Sequence, residues 1–117
     1  MPLTPLVMQF GVGTDIRGGD YTKAAKRAVD NAIRRNSVAV ADAFGQPREA
    51  MQIKVAIGVA EPDQVDIAAV ASVFPYGDVE VELQRGGLDI LHDTRAEKTV
   101  MANATVTVFL DLPTPSA

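Results

Sequence analysis

The chain contains no cysteine and no tryptophan, and its single histidine is His92. Without cysteine there can be no disulfide, no thiolate metal site and no cysteine nucleophile. A single histidine excludes a metal site built from several histidines of one chain. Aromatic residues make up only 5% of the sequence, which argues against a platform on which nucleic-acid bases stack.

Long apolar runs and an excess of positive charge are also absent. No segment approaches the roughly 20 apolar residues that a membrane-spanning helix needs, and the N-terminus lacks the basic start and apolar stretch of a secretory signal. The net charge of −4 argues against nucleic acid as the main partner. We therefore expect a cytoplasmic protein without a nucleic-acid or membrane partner, and no residue pattern implies a metal ion or another cofactor.

Apolar residues recur with regular periods along the 117 residues, of which 47% are hydrophobic, as in one globular domain. Alternation with a period of two predicts strands at 6–11, 51–60, 78–84 and 100–112, and leaves a short strand near 88–91 open. An alanine stripe predicts a helix from Tyr21 to Arg35, and Pro62 at a first helical position predicts another to about Phe74. We expect a single α+β domain over 1–117 with a flexible tail at 113–117.

The predicted order of elements is β-α-β-α-β-β, which favours a two-layer sandwich with the helices on one face of a mixed sheet. The apolar sides of the strands should point at the helices. The opposite face is polar, with an acidic third strand and the small residues Ala56, Gly58 and Ala60 on the second. Such a face is a candidate subunit interface, so we expect the chain to assemble as a trimer around it.

A glycine-punctuated segment runs from Phe10 to Asp20, directly before the first helix. We expect a strand to end at its glycines and Asp20 to be the N-cap of the helix. This junction would bring backbone N–H groups, a helix N-terminus and the carboxylates of Asp15 and Asp20 together, which suits a polar ligand or a metal. Turn and cap positions also explain the two carboxylates, and this structural interpretation is favoured.

Lys54 is the candidate catalytic and ligand-binding residue on the polar face of the sheet. It lies in the middle of the second strand, between the side chains of Gln52 and Ala56. If another subunit covers this face, Lys54 loses water, and its charge must find an anion or its pKa must fall. A bound anion would make Lys54 a ligand-binding residue, and a lowered pKa would let Lys54 activate a nucleophile. The alternative is an ordinary exposed lysine.

Two further groups of residues have both a functional and a structural interpretation. Arg85, Gly86 and Gly87 follow the third strand, where exposed N–H groups could bind a carbonyl or carboxylate, or where the chain makes a tight turn. His92 stands beside Asp93 and could be an acid or base, although a surface turn is the simpler explanation.

Several motifs resemble a family of small bacterial conserved hypothetical proteins of unknown function, over nearly the whole chain. They are Gly18-x-Asp20-x-Thr22-Lys23-Ala24-Ala25-x-Arg27-Ala28-Val29, Asn36-Ser37, Ile53-Lys54-Val55, Val73-Phe74-Pro75-Tyr76-Gly77 and Gly86-Gly87-Leu88. The resemblance implies no activity.

The chain is also similar to one repeat of the ring-opening amidohydrolases, cyanuric acid hydrolase and barbiturase. In these enzymes three repeats surround a threefold axis, and Ser–Lys pairs surround one cyclic substrate. Lys54 would match the lysine and Gly86-Gly87 the glycine pair, whereas the serine position falls at Arg85, so the nucleophile is missing. The similarity implies a homotrimer with Lys54 and Arg85 near its axis.

Three hypotheses follow for the function. The leading one is a homotrimer that binds a small polar or anionic metabolite between subunits, through Lys54, Arg85, Gly86, Gly87, Asp15 and Asp20. The second is an amidohydrolase-like enzyme for a small cyclic amide or imide, with Lys54 as the base. The third is a structural or protein-interaction module.

Overall fold

A computed structural model describes residues 3–33, 41, 43–92 and 98–111 of the chain. The strands are β1 (Leu3–Asp15), β2 (Gln52–Val59), β3 (Asp78–Arg85), β4 (Leu88–Ile90) and β5 (Thr99–Asp111). The helices are α1 (Tyr21–Ile33) and α2 (Ile67–Ala71), with 3-10 turns at Arg48–Ala50 and Pro62–Gln64. The predicted end of the first helix at 34–35, the Asn36-Ser37 motif and the tail at 113–117 lie outside the described residues.

The five strands form one mixed sheet in the order β1-β5-β2-β3. Strands β2 and β3 run parallel, and β5 is antiparallel to β1, β2 and β4. Strand β4 continues along the side of β5 where β2 has ended. Both helices pack on one face of the sheet, so the predicted α+β fold with a mixed sheet is confirmed.

The core lies between α1 and the central strands. Alternate residues of β5, from Val100 to Leu110, are buried, and so are Val55, Ile57 and Val59 of β2. They meet the predicted stripe of α1, which consists of Ala24, Ala25, Ala28, Val29 and Ala32. Each large aliphatic side chain buried here stabilises the fold by about 1.5–3 kcal/mol. The alternation in the sequence thus predicts the helix-facing side of β2 and β5 correctly.

Strand β1 differs from the prediction in length and in orientation. It does not end at its glycines but continues through them to Asp15, and Gly11 and Gly13, rather than Met8 and Phe10, face α1. A Cβ atom at Gly11 would lie 2.4 Å from the Ala28 carbonyl oxygen, and one at Gly13 only 2.2 Å from the Ala28 nitrogen. The helix backbone occupies the space of side chains, so Met8, Phe10 and Val12 point away from the helices.

The second predicted helix is interrupted. Instead of running from Pro62 to about Phe74, the chain forms a 3-10 turn and then the five-residue helix α2. The 3-10 turn ends at the extended residue Val65. Asp66, whose side chain accepts a hydrogen bond from the Ala69 N–H at 3.3 Å, is then the N-cap of α2. The Asp66 N–H donates to the Thr22 hydroxyl at 2.9 Å, which ties this break to α1.

The close contact between α1 and β1 can be tested with one pair of glycine substitutions. Gly13→Ala is expected to lower the free energy of unfolding by about 3 kcal/mol, because its new methyl group meets helix backbone. Gly45→Ala is the matched control, since nothing lies within 4 Å of its Cβ position and its φ of 68° costs only about 1 kcal/mol. Urea unfolding measures both, and equal losses would contradict the steric explanation.

Candidate functional site

One end of the sheet collects most of the residues predicted for a site. The register places the ends of β1, β2 and β3 beside the beginning of β5, since Asp15 pairs with Val100 and Gly58 with Asn103. We call this region the sheet end. It contains five of the six predicted residues, namely Asp15, Asp20, Arg85, Gly86 and Gly87. The sixth, Lys54, lies about 17 Å from it along β2.

The carboxylates of Asp15 and Asp20 organise the loop before α1. Buried Asp15 accepts a hydrogen bond from the Asp20 N–H at 2.9 Å, and its second oxygen lies 3.9 Å from an Arg27 nitrogen. Asp20 accepts from the Lys23 N–H at 3.1 Å, which confirms it as the N-cap of α1. The structural interpretation therefore accounts for both residues, and their binding of a ligand stays a prediction.

The segment Arg85-Gly86-Gly87 carries the chain from β3 past the end of β2 to β5. Gly86 donates to the Val59 carbonyl and Gly87 to the Asn103 side chain, each at 3.0 Å. Gly87 has a φ of 62°, and a Cβ atom there would lie 2.1 Å from the Met101 carbonyl oxygen. These N–H groups thus already have acceptors, and the glycines permit a crowded crossing.

Lys54 is exposed on the sheet face that the helices do not cover. It lines a shallow cavity of about 250 Å³ together with Asp78 and Glu80 of β3 and with Leu3, Gln52, Ile53 and Phe109. Arg85 pairs with Val59, so it has the opposite parity to Lys54 and belongs to the helix side of the sheet. Within one chain the two predicted cationic residues therefore do not come together.

A group of four residues that the sequence did not single out converges at the sheet end. Tyr21 begins α1, Glu61 follows β2, Asp89 is the middle residue of β4, and Lys98 precedes β5. The buried Tyr21 hydroxyl lies 2.8 Å from Glu61 Oε2 and within hydrogen-bonding distance of Asp89 Oδ2. Lys98 Nζ donates to this hydroxyl at 2.7 Å and lies 3.2 Å from Asp89 and 3.3 Å from Glu61. We call these residues the Tyr21 cluster.

The contacts within the Tyr21 cluster fix its protonation states near neutral pH. Burial, followed by the hydrogen bond to Asp89, raises the pKa of Tyr21 to about 12. The hydrogen bonds from Tyr21 and Lys98 lower the pKa of Glu61 below its usual value. The hydrogen bonds to Tyr21 and Asp89 raise the pKa of Lys98. Tyr21 is therefore a neutral phenol, Glu61 a carboxylate and Lys98 an ammonium ion.

One oxygen of the cluster lacks a hydrogen bond. Asp89 Oδ1 is buried and has no partner among the described residues, although Oδ2 of the same carboxylate contacts Tyr21 and Lys98. The surrounding side chains still reach the surface, because that of Lys98 is 31% exposed and that of Glu61 47%. The cluster thus combines a buried acceptor that has no described partner with two partly exposed side chains.

Sequence reasoning missed the cluster because its members are far apart in the chain and belong to four different segments. One local signal was available, since Asp89 stands between Leu88 and Ile90 in a strand-like alternation. A carboxylate on the side of a strand that faces the core needs a partner. Which residue is that partner depends on the path of the chain from β3 past the end of β2 at Gly86-Gly87. Residue spacing in the sequence does not show this path.

His92 has a structural role in the same region. Its Nε2 lies 2.8 Å from the Thr99 hydroxyl, and that hydroxyl donates to the Ile16 carbonyl at 2.9 Å. Because the hydroxyl has one proton and donates it to Ile16, His92 Nε2 must carry a hydrogen. The imidazole thereby links the chain after β4 to β5 and to the segment after β1. Asp93, its sequence neighbour, lies outside the described residues.

Two kinds of feature are not found in the described part of the chain. No group of three or more side chains of the metal-binding types comes together there. Among the same residues, no helix is both long and apolar enough to cross a membrane.

Comparison with known proteins identifies relatives without an assigned activity. A family model described as "Conserved hypothetical protein (Lin0512_fam)" matches residues 5–108 and confirms the resemblance to a family of unknown function. A crystal structure of an FtsZ-like protein of unknown function from Nostoc punctiforme is similar over 96% of this chain and 99% of its own. Its sequence is 30% identical and the TM-score is 0.85. The comparison with curated proteins gives no match.

The raised pKa of Tyr21 can be measured directly, since the chain has two tyrosines and no tryptophan. In a Tyr76→Phe variant, the ultraviolet absorbance of tyrosinate should titrate near pH 12 rather than 10. The pKa of Tyr21 is higher in the folded than in the unfolded protein. The contribution of Tyr21 to the free energy of unfolding is therefore complete below pH 10 and is lost as the pH rises from about 10 to 12. Adding Asp89→Asn should bring the pKa down, and titration at 10 in both proteins would contradict the cluster.

Proposed function

The chain belongs to the Lin0512 family of conserved hypothetical proteins, and we propose that it binds a small polar molecule at the Tyr21 cluster. The observation that carries this proposal is Asp89 Oδ1, a buried carboxylate oxygen without a partner among the described residues. A buried polar atom that lacks a hydrogen bond costs about 1–3 kcal/mol. An N–H or O–H group of a ligand would recover much of this free energy.

The charges of the cluster narrow the chemistry of the ligand. Two carboxyl groups, those of Glu61 and Asp89, surround the single ammonium group of Lys98. A negatively charged ligand would be repelled, whereas a neutral or cationic hydrogen-bond donor would be attracted. Of the polar and anionic metabolites expected from the sequence, this site therefore favours the polar ones, such as amines, amides and cyclic ureides.

The protonation states argue against Tyr21 and Lys98 as a general base or a nucleophile. A general base must be unprotonated at the operating pH, and a nucleophilic amine must be uncharged. The pKa of Tyr21 is raised to about 12 and the pKa of Lys98 is also raised, so neither group meets this condition near neutral pH. Together they form a rigid set of donors and acceptors around Asp89.

The other expectations from the sequence remain proposals. They are a cytoplasmic homotrimer, a site at the subunit interface that involves Lys54 and Arg85, and an amidohydrolase-like activity on cyclic amides or imides. The cavity beside Lys54 supports the interface site, because Lys54 lines it together with the two carboxylates of Asp78 and Glu80 on the sheet face that the helices do not cover.

Calorimetric titration can test the site with methylammonium, guanidinium, succinimide, hydantoin and succinate as probes. We expect at least one N–H donor to bind and succinate not to bind. Asp89→Asn should weaken that binding about 10- to 100-fold, because it replaces half of a charged acceptor by a donor. Asp63→Asn is the matched control, since Asp63 is exposed on the 3-10 turn at Pro62–Gln64 and should leave the affinity unchanged.

The same panel separates the alternatives. Binding that survives Asp89→Asn but disappears in Lys54→Ala would move the site to the open sheet face. Turnover of succinimide or hydantoin that depends on Lys54 would favour the amidohydrolase-like enzyme instead. The proposal is wrong if none of the N–H donors binds, or if Asp89→Asn binds them like the unchanged protein.

A further inference from the structure

The sheet has an open face that carries an unusual number of exposed apolar side chains. On β1, the side chains of Met8, Phe10 and Val12 point away from the helices. On β4, those of Leu88 and Ile90 do the same. Met8, Phe10 and Val12 are 63%, 69% and 53% exposed, and Leu3, Leu88 and Ile90 are exposed as well. Single exposed apolar residues are common, but a contiguous row of them marks an interaction surface.

These side chains are exposed as a consequence of the fold. The backbone of α1 lies directly on Gly11 and Gly13, so the side chains next to these glycines, those of Phe10 and Val12, have room on the opposite face. Both described helices cover the same side of the sheet, and no described element covers the open face. A sheet that is apolar on both faces needs a layer on each.

The charges on the open face show which part of it can be buried. Its acidic residues, Asp78, Glu80 and Glu82, lie on the edge strand β3, and Lys54 lies beside them on β2. The apolar residues of β1 lie at the opposite edge of the sheet, and Thr105 and Thr107 of β5 separate them from Lys54. Leu88 and Ile90 of β4 lie at the sheet end, on the side of β5 that β2 also occupies. The acidic strand would repel its own copy, so a contact between two copies would centre on β1, β5 and β4.

Side chains of α1 already bind backbone groups on the free edge of β1. A second copy would therefore pack on the face of the sheet rather than pair with this edge. The Asn31 side chain accepts from the Val12 N–H at 3.2 Å, and Arg27 donates to the Thr14 carbonyl at 2.7 Å. Side chains of α1 thereby occupy two backbone groups that another strand would need for pairing. The part of the face that excludes β3 measures roughly 600 Å² in projection from its strand lengths and spacing. This is roughly three quarters of the 800 Å² per partner that a stable complex buries.

We propose that a second copy of this chain packs on the open face, with Phe10 near the centre of the contact. The contact needs no complementary charge, because apolar side chains of one copy bury those of the other. It also leaves the acidic β3 strand at the solvated rim. This proposal does not rest on a ligand at the Tyr21 cluster, since the contact uses none of the four residues of the cluster.

Light scattering on a concentration series tests the contact. The unchanged protein should have a mass of at least twice the 12.4 kDa of one chain. Phe10→Glu should shift the mass to that of one chain, because it would bury a charge among apolar side chains. Ile67→Glu is the matched control, since Ile67 is 47% exposed but lies on α2, on the helix side of the sheet.

A second substitution guards against a simple loss of folding. Leu88→Glu changes β4 rather than β1 and should give the same one-chain mass, with a circular dichroism spectrum like that of the unchanged protein. A mass of one chain for the unchanged protein at every concentration overturns the proposal. So does an unchanged mass in both folded glutamate variants.

Discussion

The rest of the structure depends on the close approach between α1 and β1. The helix presents alanines and the strand presents Gly11 and Gly13, so the two backbones meet without intervening side chains. A methyl group at either glycine would come within 2.4 Å of a helix backbone atom. Small residues on both elements allow this short distance. Because the helix lies so close, the side chains of β1 next to the two glycines point to the opposite face of the sheet.

The contact also positions the candidate site. Asp20 caps α1, and Tyr21 is the first residue of the helix, so fixing α1 on the sheet fixes the Tyr21 hydroxyl at the sheet end. Glu61, Asp89 and Lys98 then reach this hydroxyl from three other segments. Because the hydroxyl has one proton and two carboxylates within reach, the ammonium of Lys98 is needed to keep both carboxylates close.

Sequence reasoning was most successful where one face of an element is buried. The alternation in β2 and β5 and the stripe of α1 reflect burial on one side only, and the N-cap Asp20 follows from its local position. It failed for β1, because Met8 and Phe10 alternate with the period of a buried strand face but lie on the face away from the helices. The helix predicted from Pro62 failed at Asp66, whose capping preference competes with continuation.

The candidate site was harder to predict than the fold because it consists of tertiary contacts. The sequence indicates Lys54 by its position in the middle of a polar strand face, and Arg85, Gly86 and Gly87 by their position after a strand. The structure explains the two glycines by the crossing to β4, and this crossing brings Asp89 to Tyr21. The glycines thus serve the site indirectly, since they permit the chain path that carries its acidic residue.

Strand β4 connects the candidate site to the open face. Its three residues alternate, so Leu88 and Ile90 point to the open face while Asp89 points to the Tyr21 cluster. A strand of three residues that pairs only with β5 among the described strands has little stability of its own. Any layer that packs on Leu88 and Ile90 would therefore hold the Asp89 carboxylate in place. If a second copy packs on the open face as proposed, this short strand carries the contact to the Asp89 carboxylate.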